Sequence, residues 1–150
     1  MGIRAKWLRA PFSVVYRMLY RRVRNGYAID LPYSVRLGRR VVVEHCGAIV
    51  IHGSASLGDD CIVRQGVTLG NRYLDRPFEA PQLGARVNIG AGAKILGGVT
   101  IGDDVQIGAN AVVLQDVPPG ATVAGIPARI VKDAHGGSHA TLGSRGRRAE

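Results

Sequence analysis

The stretch IGAGAKILGGVTIGDDVQIGANAVVLQDV, residues 89–117, carries an aliphatic side chain at every sixth position. With the residues just before it, this register comprises Leu83, Ile89, Ile95, Ile101, Ile107 and Val113. A small or branched residue follows four positions after each aliphatic, at Val87, Ala93, Val99, Val105, Ala111 and Val117. A period of six fits neither an α-helix nor an ordinary β-strand. It fits a three-sided prism in which each hexapeptide supplies one short strand and one corner.

The repeat extends toward the N-terminus in two earlier registers. Their aliphatics are Leu37, Val43 and Ile49 in the first, and Ile51, Leu57, Val63 and Leu69 in the second. The break between the two registers predicts a bulge of two residues, and the gap before Leu83 predicts a loop at residues 71–81. We therefore predict an all-β fold: a left-handed parallel β-helix, or hexapeptide-repeat solenoid, over residues 29–118, with a short N-terminal helix.

The segments outside the repeats differ from it in composition. Residues 1–28 predict a basic amphipathic helix, centred on residues 5–24, that either caps the open end of the prism or lies on a membrane surface. Its apolar stripe comprises Trp7, Leu8, Val14, Val15, Met18 and Leu19. Residues 119–133 are predicted to turn out of the prism as a C-terminal cap. Residues 134–150 are rich in Gly, Ser, Arg and His and are predicted to be disordered.

The chain has a formal net charge of +9, concentrated at its ends. Positions 1–40 contain ten Lys and Arg residues and a single acidic residue, Asp30. Without a nucleic-acid recognition motif, this basicity favours an anionic substrate or membrane surface over nucleic acid. Cys46 and Cys61 form no disulfide or metal-binding pattern. No apolar run is long enough to span a bilayer or resembles a signal peptide, so we expect a cytoplasmic protein, in solution or at the inner face of the membrane.

The repeats, the loop and the stretch DVPPGATVAGIPAR, residues 116–129, resemble the hexapeptide-repeat acetyltransferases. Over roughly residues 16–132 the chain is most similar to the serine O-acetyltransferase-like group, in its short exopolysaccharide and colanic acid branch. The resemblance implies an acyl-CoA-dependent O-acetyltransferase with acetyl-CoA as co-substrate and no metal. It also implies a homotrimer with active sites between subunits.

Acetyl transfer to a hydroxyl needs a base that removes the hydroxyl proton. His45, in VVVEHCG just before the register break, is the candidate. Taken alone, His45 is as easily a polar corner residue. The resemblance implies that it is the general base and that Asp30, fifteen residues earlier as in the family, orients its imidazole.

The acceptor is predicted from a departure in the loop. Glu79 and Ala80 stand where serine-specific members have Arg and His, and a Glu would repel an amino-acid carboxylate. We also expect the protein to differ from bacterial serine acetyltransferases in having neither their long N-terminal helical domain nor their C-terminal Ile. We therefore expect a sugar hydroxyl in exopolysaccharide or lipid-linked saccharide biosynthesis, with serine as the alternative. Glu44, Arg76 and Glu79 are the expected acceptor contacts, and Arg76 could replace the missing Arg.

The family binds the CoA arm in a groove between neighbouring subunits. The resemblance implies contacts at Gly90, Ala91, Ala109, Leu114, Gln115, Arg129 and Lys132. The last two are the basic positions that meet the phosphates. For each alanine taken singly, simple close packing is an equal explanation.

Two other classes share the prism. A γ-class carbonic anhydrase needs three zinc histidines, which the coils do not supply. A non-catalytic trimeric scaffold needs no base at all, and detectable CoA binding would separate an enzyme from it.

Overall fold

The computed structural model describes the backbone of residues 4–133 and the side chains from residue 12 onward. Within that range one helix, α1 (Arg4–Tyr27), precedes a series of short strands that wind into a parallel β-solenoid with three faces. The predicted disorder of residues 134–150 lies outside the described residues.

Each face of the solenoid is one sheet. Face A consists of β1 (Ile29–Asp30), β4 (Ile49–Ile51), β7 (Thr68–Gly70), β10 (Lys94–Leu96) and β13 (Val112–Val113). Face B consists of β2 (Arg36–Leu37), β5 (Ser56–Leu57), β8 (Gln82–Leu83) and β11 (Thr100–Ile101). Face C consists of β3 (Val42–Glu44), β6 (Ile62–Arg64), β9 (Asn88–Ile89), β12 (Gln106–Ile107), β14 (Thr122–Ala124) and β15 (Arg129–Lys132). The paired strands are parallel, except that β15 runs antiparallel to β14.

The core is a set of aliphatic columns inside the prism. Ile95 is fully buried and lies between its register partners Leu69 and Val113, which belong to the coils on either side. Ile89 pairs with Ile107, eighteen residues on, so three hexapeptides complete one coil. The predicted small inward residues from Ala55 to Val117 are also buried. The fold class predicted from the repeats, a left-handed parallel β-helix, is confirmed.

The first coil is less buried than its repeats predict. Leu37 is 46% exposed and Val43 is 41% exposed, although both occupy inward repeat positions. No coil lies beneath them among the described residues, so one side of each has no packing partner. Helix α1 covers part of this end: Tyr16 and Leu37 line opposite sides of a groove of about 530 Å³.

Helix α1 carries exposed apolar side chains on the side away from that groove, among them Val14 and Met18. The predicted cap is therefore partial, and the side chains of Trp7 and Leu8 lie outside the described ones. No described helix, α1 included, has the length and apolar character needed to cross a bilayer.

The solenoid continues beyond its predicted boundary at residue 118. Strand β14 pairs in parallel with β12, and Ala121 and Val123 occupy inward positions with almost no exposure. The sequence hid this repeat because Pro119 stands six residues after Val113, where the next aliphatic is expected. The turn from Ile107 to Val123 also takes sixteen residues, two fewer than the turn from Ile89 to Ile107. The chain leaves the prism only after β14, when β15 folds back against it.

The corner between faces B and C is braced by ion pairs between successive coils. Arg40 pairs with Asp60 and Arg86 pairs with Asp104, each with 2.6 Å between Nε and Oδ1. All four residues have φ between +56° and +60°, so one residue in the left-handed region turns the chain in each of these coils. Hydrogen bonds from Arg86 hold the pKa of Asp104 below its usual value.

Candidate active site

Several predicted site residues share one corner of the prism, where face C turns into face A; we call it edge CA and define it by residues 45–48, 65–67, 90–92 and 108–111. Backbone hydrogen bonds of 2.8 Å tie its coils together, from Gly66 to Gly47, from Gly92 to Gln65 and from Asn110 to Ala91. The candidate base His45 is thus on the same edge as the predicted CoA residues Ala91 and Ala109.

His45 occupies a strained position on this edge. Its φ is +59°, in the left-handed region that non-glycine residues rarely adopt, and its side chain is exposed. The corner is long here because Val43 pairs with Val63, twenty residues on, two more than in a regular coil. The predicted two-residue bulge is therefore present. No hydrogen bond engages the His45 imidazole among the described residues.

Asp30 lies at the end of β1, where it pairs in register with Val50. Its carboxylate accepts a hydrogen bond from the hydroxyl of Tyr20 on α1, and this bond raises the pKa of Tyr20 more than burial does. Within residues 12–133 no hydrogen bond joins Asp30 to His45. The Asp30 carboxylate is instead engaged by the hydroxyl of Tyr20.

Glu44, one residue before His45, forms an ion pair with Arg64 on the next coil. The distance between Arg64 Nε and Glu44 Oε2 is 2.9 Å, and the two residues are register partners in β3 and β6. Arg64 Nη1 also donates to the side chain of Asn88 and to the carbonyl of Ile89 at 3.4 Å. Three successive coils are thereby connected along face C.

The loop at residues 71–81 leaves the prism at a different corner, where face A turns into face B, which we call edge AB. Gly97, on the next coil, donates to the Gly70 carbonyl at 2.8 Å. Loop residues Arg76 and Glu79 line a pocket of about 380 Å³ together with Leu114. One strand of face A separates edge AB from edge CA, so this loop and His45 of the same chain lie on different corners.

The charge of Glu79 is compensated inside the loop. Arg76 Nη1 lies 3.3 Å from Glu79 Oε1, and the Arg76 guanidinium stacks over the ring of Tyr73. Ala80 is buried at 3% exposure and does not face a site. Because the Glu79 carboxylate is paired with Arg76, it is no longer an isolated negative charge. It is therefore not expected to repel the carboxylate of an acceptor.

Three of the predicted CoA residues, Leu114, Gln115 and Arg129, line one cleft of about 1030 Å³ between β13 and β15. Lys132 is exposed on β15. Gly90 has a structural reason of its own: a Cβ there would lie 2.5 Å from the amide nitrogen of Ala109, too close for any side chain. Coil stacking by itself therefore demands glycine at this position.

Arg64, Asn88 and Tyr20 are the residues near the candidate site that sequence reasoning missed. A signal for the first was available, because Glu44 and Arg64 occupy equivalent repeat positions one coil apart. The Tyr20 contact had no such signal, since it depends on how α1 packs. No cluster of three potential metal ligands occurs among the described residues.

The stacked six-residue coils are the architecture of the bacterial hexapeptide-repeat transferases. A family model described as "Bacterial transferase hexapeptide (six repeats)" matches residues 80–115. These are the coils that carry Ala91, Ala109 and Leu114.

Curated relatives narrow this class. The chain is 40% identical over 128 residues to the serine acetyltransferase of Synechococcus elongatus, covering 85% of this chain and 52% of the relative. It is 42% identical over 123 residues to the serine acetyltransferase of Helicobacter pylori strain J99, covering 81% of this chain and 72% of the relative. The chain belongs to the serine acetyltransferase family. It spans about half to three quarters of the length of these two relatives.

A solved structure agrees with this assignment. The serine acetyltransferase of Brucella abortus in complex with coenzyme A superposes with a TM-score of 0.72 at 37% identity, covering 75% of this chain and 45% of that one. The predicted sugar acceptor is wrong, because the similar proteins are named serine acetyltransferases and none of these comparisons shows an exopolysaccharide branch. Glu79, paired with Arg76, and the buried Ala80 do not indicate a sugar acceptor.

Proposed function

We propose that this protein transfers the acetyl group of acetyl-CoA to the hydroxyl of serine. The observation that carries the proposal is the family kinship, together with one prism edge that bears both His45 and residues expected along the CoA arm. The alternative of a non-catalytic scaffold predicts neither CoA binding nor turnover.

In the proposed reaction His45 is the general base. One imidazole nitrogen takes the proton of the serine hydroxyl as the oxygen attacks the thioester carbonyl. The tetrahedral intermediate collapses, the C–S bond breaks, and the imidazolium returns the proton to the sulfur of CoA. An exposed imidazole suits both proton transfers, because solvent and substrate can reach it.

Asp30 is proposed as the residue that orients the imidazole. For this role its carboxylate must exchange Tyr20 for His45, which requires a shift at the corner 45–48 or at the end of α1. His45 and Ala48 both have left-handed φ values, so this corner holds two strained residues.

The CoA arm is proposed to run along Ala91 and Ala109 and into the cleft lined by Leu114, Gln115 and Arg129. Arg129 and Lys132 would meet the phosphates as exposed cations. Small side chains at the alanine positions leave room for a chain of methylene and amide groups.

A homotrimer is proposed because the expected active-site residues of one chain are divided between two corners of the prism. His45 lies on edge CA, whereas Arg76, Glu79 and Leu114 lie on edge AB. Edge AB of a neighbouring copy facing edge CA would bring the two groups into one site. Light scattering should give three times the monomer mass at micromolar concentration, and a stable monomer would contradict this proposal.

Helix α1 is proposed to contact an anionic membrane surface. Val14 and Met18 are 62% and 61% exposed beside Arg17 and Arg21, and α1 contains no acid. The same charge disfavours pairing between copies of the helix. Vesicles with anionic lipid should co-sediment the protein, neutral vesicles should not, and Met18→Glu should abolish binding; equal binding to both vesicles would contradict an electrostatic contact.

Acetyl-CoA turnover tests the function directly. With serine as acceptor, release of the CoA thiol should give a kcat/KM of about 10⁴ M⁻¹s⁻¹ or more, the low end for ordinary enzymes. Product identification by mass spectrometry should show an acetyl group on the serine oxygen. Binding of CoA without turnover of serine would contradict serine as the acceptor. Absence of CoA binding would favour a non-catalytic scaffold.

A further inference from the structure

Two opposite charges lie side by side next to the candidate base. Glu44 is the residue before His45, and Arg64 is its register partner on the adjacent coil, 2.9 Å away between Nε and Oε2. Both side chains are partly exposed, at 40% for Glu44 and 29% for Arg64. They are therefore reachable from solvent, in contrast to a buried structural pair.

The guanidinium is held in place with part of its bonding capacity unused. Its Nη1 donates to the side chain of Asn88 and to the carbonyl of Ile89. Among residues 12–133 no hydrogen bond from Nη2 is present, and none reaches Glu44 Oε1. One cationic donor and one anionic acceptor thus stay available at the same place.

We propose that Arg64, beside the expected acceptor contact Glu44, is the residue that binds the carboxylate of the amino-acid acceptor, an inference that rests on the proposed function. A serine zwitterion carries an ammonium and a carboxylate on one carbon atom, and the adjacent Glu44 and Arg64 match this pair of charges. Arg64 Nη2 donates to the carboxylate, and Glu44 Oε1 accepts from the ammonium. The serine hydroxyl is then presented toward His45, the next residue along the chain.

Arg64 has an advantage over Arg76, the cation expected from the sequence. Both guanidinium groups are paired with a carboxylate, but Arg76 lies in an exposed loop on edge AB, where it stacks on Tyr73. Arg64 is on a strand, braced by two acceptors, and one coil from Glu44. A braced guanidinium binds a carboxylate with less loss of conformational entropy than one in a loop.

The experiment compares two acceptors that differ only in the carboxylate. In the wild-type protein serine should be acetylated well, and serinamide, which keeps the ammonium, poorly. Arg64→Met should lower kcat/KM for serine about 10–10²-fold, mainly through KM, since a hydrogen bond to a charged group is lost. The same change should lower kcat/KM for serinamide less than about threefold. Arg64→Lys should restore part of the serine activity.

Arg36→Met is the matched control, because Arg36 is also a strand arginine with a side-chain amide partner, Gln82, but lies on face B. It should affect neither acceptor, and thermal melting should show that every variant is folded. Equal losses for serine and serinamide in a folded Arg64→Met protein would overturn this inference alone, and so would a selective serine loss in Arg76→Met instead. A wild-type protein that binds CoA but acetylates neither acceptor would overturn the proposed function as well.

Discussion

The coils from Leu83 to Val113 and the first coil, residues 29–48, carry the same six-residue repeat but bury it to different degrees. In the regular coils the inward residues are almost fully buried between coils on either side. In the first coil Leu37 and Val43 remain over 40% exposed. The regular coils supply stability and a rigid groove. The first coil, less constrained and two residues longer, carries the candidate base.

The largest effect should come from the first coil. We expect His45→Ala to lower turnover by at least about 10²-fold, because the proton of the acceptor loses its base. Melting temperature and CoA affinity should stay unchanged, since His45 is exposed and lies away from the cleft near Arg129. Steady-state kinetics and calorimetry with CoA measure these quantities. Turnover near the wild-type level would remove His45 from the mechanism, and Asp30→Asn should give a smaller loss.

Substitutions in the regular coils should lower the stability of the fold more than substitutions in the first coil. Ile95→Ala should lower the free energy of unfolding by about 2–5 kcal/mol, the range for a fully buried aliphatic that leaves a cavity. Leu37→Ala should cost roughly 1 kcal/mol or less, because nearly half of Leu37 is already in water. Denaturant melts of the two variants make the comparison. Equal costs would mean that another surface covers the first coil in solution.

A large side chain on edge CA should weaken the binding of the acetyl donor, CoA, without changing the fold. Ala109 is exposed at a corner, so Ala109→Trp should be accommodated by the core but should fill the proposed CoA groove. We expect at least a tenfold weaker affinity for CoA, about 1.4 kcal/mol. Titration calorimetry measures it, with Ala85→Trp on the corner between faces B and C as the control. Unchanged CoA binding in the Ala109 variant would place the groove elsewhere.

The smallest effect concerns the ion pairs that brace the regular coils. The pKa of Asp104 is lowered by Arg86, so this pair stabilises the fold above the unfolded carboxylate pKa, and the contribution is lost as the pH falls below about 4. The melting temperature of the wild-type protein should therefore drop more between pH 5 and pH 2.5 than that of Arg86→Met. Parallel curves would show that solvent screening removes the contribution of this exposed pair.

Much of the fold was predictable because the repeat is local. Each hexapeptide places its own aliphatic inward, so the register from Leu83 to Val113 identifies the strands, the corners and the loop at 71–81 without tertiary information. The extra turn at β14 was missed, since its prolines mask the repeat. The exposure of Leu37 and Val43 was missed for a different reason: burial depends on what lies beneath a coil, and a repeat does not encode that.

The sequence by itself determined the prism, the position of the long corner at His45 and the family, because each follows from short-range spacing or from matched residues. Only the tertiary structure decided which side chains meet. In the structure Asp30 accepts a hydrogen bond from Tyr20, Glu79 forms an ion pair with Arg76, and Arg64 forms an ion pair with Glu44. The physical reason is that these contacts depend on how α1 packs, on how the loop folds and on which coils are neighbours, whereas the six-residue repeat specifies only which side chains point inward. The turn from Val43 to Val63 takes twenty residues, whereas the turn from Ile89 to Ile107 takes eighteen.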